Sequence, residues 1–99
     1  MIDWVTIYTT SAFECPYCIK AKELLSIYGF DFYEKDINTN KTYKNEFFEK
    51  GHTKVPQIYL NDLLVGGYTD TEAYFRKRYF QNHPNKDKII QELKDLINA

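Results

Sequence analysis

Two cysteines, the only ones among 99 residues, stand in the run Cys15-Pro16-Tyr17-Cys18, directly before the apolar, helix-forming segment Ile19 to Tyr28. The thiolate attacks sulfur, and a free cysteine of pKa about 8.5 is only slightly ionised at neutral pH. A pair that reacts therefore needs something that favours the anion. If a helix begins near Pro16, its unpaired N–H groups and the positive end of its dipole point back at the Cys15 sulfur. Proline suits the first helical position because its ring presets φ and its missing N–H would have had no partner there. Cys18 then lies one turn on, near enough to close a disulfide with Cys15 and partly shielded by the helix. The expected division of labour is that Cys15 attacks and Cys18 resolves.

A lowered pKa is not simply a gain in rate. Nucleophilicity falls with pKa at a slope of about 0.4–0.5, so a drop of about three units costs roughly 30-fold in attack and returns about as much in anion fraction. What remains is the ability to leave, and a stable thiolate leaves a mixed disulfide readily. The arrangement is expected to favour fast turnover over strong attack. The competing reading of the pair is half of a metal site. A tetrahedral zinc site closed within one chain needs two further ligands, and His52 and His83 lie at no finger spacing from Cys18. Two inert structural thiols fit less well still, since Pro16-Tyr17 serves no packing period.

The rest of the chain must position this pair. Its length makes one domain, residues 1–99, with room for a core. Thirteen basic against fourteen acidic residues, without clusters, leave no footprint for nucleic acid or a membrane surface. Nine Tyr and seven Phe are expected mostly in the core or at its edge. No apolar run approaches the length of about 18 residues that a membrane span needs, and no signal peptide is visible at the N-terminus. The expectation is a cytoplasmic protein, in a compartment that keeps such a pair cycling as a dithiol.

In chain order, Trp4 to Tyr8 reads as a buried strand and Thr9 to Glu14 as the loop that delivers Cys15 at its carboxyl end, where chemistry collects in open α/β sheets. Cys18, Ala21, Leu25 and Tyr28 recur at helical spacing, widened by Leu24, and Gly29 stops the helix. Phe30 to Ile37 reads as a second strand, parallel to the first. Asn38-Thr39-Asn40 offers caps for a second helix carrying Tyr43, Phe47 and Phe48 and ending at Gly51. Gln57 to Leu60 and Leu63 to Val65 form a hairpin across Asn61-Asp62, ended by Gly66-Gly67. Thr69 and Glu72 suit a capping box for a third helix running to about Phe80. A last amphipathic helix, Asn85 to Asn98, places Ile89, Ile90, Leu93, Leu96 and Ile97 on one face.

That β-α-β-α-β-β-α order, with three local motifs, resembles the glutaredoxins, the glutathione-dependent branch of the thioredoxin fold. The resemblance covers roughly residues 4–80, with 85–98 as a C-terminal helical extension. Cys15-Pro16-Tyr17-Cys18 is the dithiol glutaredoxin active-site sequence. Thr53-Lys54-Val55-Pro56-Gln57-Ile58 looks like the family's Thr-Val-Pro-Gln-Ile segment, and Gly66-Gly67-Tyr68-Thr69-Asp70 is similar to its Gly-Gly-x-Ser/Asp-Asp. The implied fold is an α/β, thioredoxin-like, four-stranded mixed sheet flanked by helices, with an extra C-terminal helix.

The resemblance implies a cis peptide bond before Pro56, with Val55 exposing its backbone to the cysteinyl part of glutathione. Thr69 and Asp70 match positions that hold the γ-glutamyl end, as a carboxylate suits an ammonium and helix-opening N–H groups suit a carboxylate. Their competing role is plain helix capping. Tyr17 is placed over glutathione beside Cys15, or is a surface tyrosine on an exposed turn. Gly66 and Gly67 either end a strand or leave room for a peptide ligand.

Two departures stand out. The lysine most dithiol members carry three residues before the first active-site cysteine is here Ala12. Lys54, where the family usually has Thr, either supplies that charge or is solvated, and Lys44 is a further candidate for the glycine carboxylate. The loop from Tyr8 to Cys15 is about two residues longer than the common bacterial form. Such loops occur in bacteriophage glutaredoxins, which reduce ribonucleotide reductase. The resemblance thus implies a monomeric thiol-disulfide oxidoreductase acting on protein disulfides and glutathionylated proteins. Glutathione would be its co-substrate, with no bound cofactor and no metal. The alternatives are a reductant recharged by thioredoxin reductase, and a dimeric iron-sulfur or zinc carrier, which Pro16 and Tyr17 argue against.

Overall fold

The first strand, β1 (Val5–Thr9), is sealed on both faces: Val5, Ile7, Tyr8 and Thr9 are all buried. A strand paired along both edges and covered on both sides has to be apolar nearly throughout, which its β-branched and aromatic run supplies. The computed structural model describes residues 4–80 and 86–97. After β1 come α1 (Pro16–Ile27), β2 (Phe32–Asp36), α2 (Lys41–Glu49), β3 (Gln57–Leu60), β4 (Leu63–Gly66) and α3 (Tyr68–Phe75). A π-helical turn over Arg76–Phe80 continues α3, and α4 spans Lys86–Ile97. The sheet order is β2-β1-β3-β4, with β2 parallel to β1 and the β1–β3 and β3–β4 pairs antiparallel. This is the α/β, thioredoxin-like, mixed four-stranded architecture expected.

Helix ends follow the local signals closely. The Gly29 N–H bonds Ser26 O and the Phe30 N–H bonds Leu25 O, with Gly29 at φ 80°, a Schellman closure that a side chain would strain. The same pair of bonds closes α2 at Gly51. Because Phe30 is spent on that closure, β2 starts at Phe32, two residues later than its composition suggested. Asn40 caps α2 by accepting from the Tyr43 N–H at 3.1 Å. Asn61 turns the hairpin at φ 55°, a conformation asparagine tolerates.

Three expectations are corrected. Thr69 and Glu72 form no capping box: α3 begins at Tyr68, two residues earlier than a Thr69 cap would start it, Gly67 is its N-cap, and no side chain caps it. Glu72 instead pairs with Arg76 at 3.3 Å. The α-helix ends at Phe75, and the π turn carries the chain to Phe80. In α4 the inward face is Ile89, Leu93 and Leu96, at positions i, i+4 and i+7, so Ile90 falls to the side and is exposed. The expected end positions Asn85 and Asn98, His83 and the side chain of Ile97 lie outside the described residues.

The main core joins Val5, Ile7, Ile58 and Leu60 of the sheet to Ala21, Leu24, Leu25 and Tyr28 of α1, Phe75 of α3 and Ile89 and Leu96 of α4. Phe75 is its aromatic centre, with its ring 5.6 Å from Tyr28, 5.1 Å from Phe30 and 5.0 Å from Tyr79. On the other side of the sheet, the Glu46 carboxylate accepts from the Tyr8 hydroxyl and from Lys35 Nζ, each at 2.8 Å. The bond from Lys35, then that from Tyr8, holds the Glu46 carboxyl below the usual range. Burial first, and the bond to Glu46 second, push the Tyr8 phenol up. Among the described residues, no helix is long and apolar enough to cross a membrane.

Two outcomes follow. Phe75→Ala should cost about 3–5 kcal/mol, read from urea unfolding midpoints, since it removes a large ring from a closed cluster. Glu46 has a folded-state pKa below its unfolded one, so its contribution is present above the unfolded value and lost as pH falls through the folded one. Glu46→Gln should be less stable than the native chain at neutral pH, and the gap should close below about pH 4, in the same unfolding assay.

Candidate active site

The loop from Thr10 to Glu14 leaves the carboxyl end of β1 and is tied to the end of β2. The Ser11 N–H donates to Asp36 Oδ1 at 3.1 Å, and Asn38 Nδ2 donates to the Ser11 hydroxyl at 3.0 Å. Burial alone would push the Asp36 carboxyl up, but hydrogen bonds from Ser11, Asn38 and Thr39 outweigh it and leave it low. The loop is thus anchored by the Asp36 carboxylate.

The loop ends at Cys15, the N-cap of α1, with Pro16 in the first helical position. The Ile19 N–H bonds Cys15 O at 3.2 Å, and the Cys18 N–H donates to Cys15 Sγ at 3.3 Å. One of the helix's otherwise unpaired donors therefore points at the sulfur, as the proline predicted. Cys15 and Cys18 are joined in a disulfide with Cα atoms 5.2 Å apart. Cys15 is 9% exposed and Cys18 3%, so what access there is favours Cys15.

A second wall comes from the segment before β3. The Val55–Pro56 peptide bond is cis. Pro56 is buried, Val55 half-buried and Lys54 exposed. Lys54 and Val55 share a groove of about 330 Å³ with Thr10, Phe13 and Phe48. The strand-leading segment and the loop before Cys15 therefore face one another. A third wall is the β4–α3 corner. A Cβ on Gly67 would meet Pro56 O at 3.6 Å, which sets this corner beside the cis-proline. The Tyr17 ring, 59% exposed, lies 6.0 Å from that of Tyr68.

Within that corner the critical glycine is Gly66. It sits at φ 121°, and a Cβ there would lie 2.6 Å from Asp70 Oδ2. The Asp70 carboxylate thus folds over the bare face of Gly66, at the open end of α3. Thr69 and Asp70 are both exposed in the first turn of α3. The first N–H of that helix to find a backbone partner is that of Thr71, on Gly67 O at 3.0 Å. Among the described residues no side chain caps the amides before it, and a helix supplies no acceptor for them, so they suit an anion.

Sequence reasoning singled out Gly67 at the site and did not weigh Tyr68, Phe13 or Phe48 there. Tyr68 stood inside a motif already quoted, between Gly67 and Thr69. Its hydroxyl is pushed up by burial, then by Glu72, Glu23 and Tyr17. Lys44 is exposed on α2 and is not among the groove's lining residues. A larger depression of about 540 Å³ is lined by Trp4, Tyr8, Lys35, Glu46 and Tyr59 and, like the smaller groove, by neither cysteine. Among the described residues, no cluster of His, Cys, Asp and Glu could hold a metal ion.

Gly66→Ala should cost about 1–3 kcal/mol in urea unfolding, from the strained φ and the displaced Asp70 carboxylate. Gly67→Ala, at φ −81° with an ordinary contact, should cost less.

Comparison with known proteins agrees with this geometry. The family model described as glutaredoxin matches residues 5–65. A glutaredoxin of Pseudomonas aeruginosa is 44% identical over 73 residues, covering 73% of this chain and 84% of that protein. Glutaredoxin 3 of Escherichia coli is 41% identical over 70 residues, covering 70% of this chain and 82% of its own. Among solved structures, glutaredoxin 1 from Francisella tularensis, complexed with cacodylate, aligns with a TM-score of 0.63 at 28% identity over 77% of this chain and 95% of that one. Reduced Escherichia coli glutaredoxin aligns with a TM-score of 0.56 at 31% identity, over 76% of this chain and 95% of its own. The family match spans more than half of the sequence and contains both cysteines, so this chain belongs to the glutaredoxin family, as a dithiol thiol-disulfide oxidoreductase.

Proposed function

We propose that this oxidoreductase works in the cytoplasm as a monomer and is recharged by glutathione. Cys15 is the attacking sulfur in this reading. The observation that carries it is the Cys18 N–H aimed at Cys15 Sγ from the start of α1, beside a second helix start on α3 that no side chain caps. The first favours a thiolate on Cys15, and the second favours a carboxylate alongside it.

In the cycle, the Cys15 thiolate attacks one sulfur of a substrate disulfide, and the other sulfur leaves as a thiolate and takes up a proton. Cys18, losing its proton, then attacks Cys15 Sγ and frees the first substrate sulfur. The substrate has gained two electrons and two protons, and Cys15–Cys18 has become the disulfide. Two molecules of glutathione reverse that change and leave as glutathione disulfide. On a glutathionylated protein, Cys15 takes the glutathione and a second glutathione resolves it, so Cys18 is not needed. No metal or bound organic cofactor enters any step.

Glutathione is proposed to lie with its cysteinyl backbone along Val55, before Pro56. Its γ-glutamyl carboxylate meets the opening amides of α3 from Gly67 to Thr69, and its ammonium meets Asp70. Tyr17 covers it beside Cys15, and Lys54 takes the glycine carboxylate. The length of the loop before Cys15 supports ribonucleotide reductase as one protein substrate.

Cys15→Ser should abolish turnover of both substrate classes. Cys18→Ser should keep reduction of a glutathione mixed disulfide and lose most reduction of protein disulfides, in an assay coupled to glutathione disulfide formation. Loss of both in the Cys18 variant would remove the division of roles. Recharging by thioredoxin reductase and not by glutathione would remove the proposed co-substrate.

A further inference from the structure

We infer that His52 and Tyr59 are positioning residues for the redox site: the hydrogen bond between their side chains sets the Val55 backbone on which the cysteinyl part of glutathione is proposed to lie. The inference rests on the glutathione reading above and assigns control of that contact to two side chains outside it.

His52 Nε2 lies 2.6 Å from the Tyr59 hydroxyl oxygen. The two residues bracket the cis-proline segment, His52 three positions before Val55 and Tyr59 three positions after Pro56. Their bond therefore closes a loop of chain around that segment. A second closure lies inside the first, where Gln57 Nε2 donates to Lys54 O at 3.0 Å. Residues His52 to Pro56 belong to no helix or strand. A stretch of that kind takes its position from its ends and from the side chains that cross-link it.

His52 is tied on two sides. Its N–H bonds Phe47 O at 3.2 Å at the end of α2, and its ring stands 5.4 Å from that of Phe47 and 5.8 Å from that of Tyr59. Tyr59 is held independently, since it pairs with Thr6 of β1 and Leu64 of β4, with its ring 6.0 Å from that of Tyr8. The bond thus registers the segment against a fixed sheet. Neither neighbouring structure needs it for its own closure. The end of α2 is satisfied by the backbone bonds of Gly51 and His52, and the Tyr8–Glu46–Lys35 network is complete without the imidazole. What the imidazole adds is the placement of the residues that follow it, Thr53, Lys54 and Val55, and a small misplacement of a binding group is costly to turnover.

The test follows turnover of the mixed disulfide of glutathione and 2-mercaptoethanol by the full chain. Alongside it, the rate at which iodoacetamide alkylates Cys15 of the reduced chain reads the thiolate without glutathione. Tyr59→Phe removes the hydroxyl and keeps the ring, and His52→Phe removes the nitrogens and keeps the aromatic contacts. Each should lower kcat/KM about tenfold, through KM, with kcat within about twofold of native and alkylation unchanged. The double variant should fall no further than the lower single one, because one bond is lost once. His52→Gln, whose amide nitrogen reaches toward the same hydroxyl, should return kcat/KM to within about threefold of native. Values within about twofold of native in both single variants overturn the inference, as do losses that multiply in the double variant. A His52→Gln chain no better than His52→Phe overturns it too, as does a fall in alkylation that parallels the fall in turnover, which marks a merely structural bond. Failure of the native chain on the mixed disulfide overturns the glutathione reading itself and is distinct from these.

Discussion

A helix start aimed at a sulfur is the constraint around which the molecule is arranged. The opening amides of α1 have no intrahelical acceptors, and one of them finds Cys15 Sγ. For that geometry to persist, α1 must be fixed in angle and height above the sheet. Ala21, Leu24 and Leu25 supply this by burying one face of the helix completely against Val5, Ile7 and Ile58. The Schellman closure at Gly29 fixes where the helix ends, and Phe30, spent on that closure, still reaches Phe75 and Tyr79. Packing far from the cysteines therefore determines what the cysteines face.

The three helix starts of the region are treated differently, and the difference has a chemical reading. α2 is capped by the Asn40 side chain, so its opening is satisfied from within and serves structure. α1 is capped by a sulfur that can carry charge, and α3 by a glycine that offers no side-chain acceptor. Leaving α3 without a cap forfeits about 1 kcal/mol of helix stability relative to a good one. A negatively charged ligand at that position can restore the loss on binding. Gly66 adds to this by making room for Asp70, which places an anion-accepting and a cation-accepting element within one turn. Zwitterionic amino acid termini carry both charges.

The two sides of the sheet carry unlike tasks. The side with α1, α3 and α4 is hydrocarbon and aromatic, and holds the helices still. The α2 side includes a buried phenol, a carboxylate and an ammonium group held in mutual hydrogen bonds. Nearby, His52 Nε2 lies 2.6 Å from the Tyr59 oxygen, and burial first and Lys50 second lower the His52 pKa. Tyr8, Lys35, Glu46 and Tyr59 of this polar face also line the larger depression there.

Local physics was readable before any fold was known. A proline at the first helical position between two cysteines, glycines where helices must turn left-handed, an asparagine cap, and a hairpin across Asn61 each act within a few residues, so each is written in adjacent letters of the chain. The cis bond before Pro56 came from resemblance alone, since nothing adjacent distinguishes it from a trans one. Other features arise only when distant segments meet. Thr69 had the right spacing for a capping box, yet Gly67, lying beside Pro56 from another element, starts the helix instead. Ile90 looked like core until the packing of α4 on α1 chose a narrower face. Phe13 and Phe48, thirty-five positions apart, looked like ordinary hydrophobes, and only the tertiary fold set them on one exposed groove. The sequence by itself settled the reactive pair and the elements that carry it, because propensity, capping and periodicity are short-range. The tertiary structure decided which surfaces surround that pair, because contact between remote residues depends on how whole helices pack and not on any one stretch of chain.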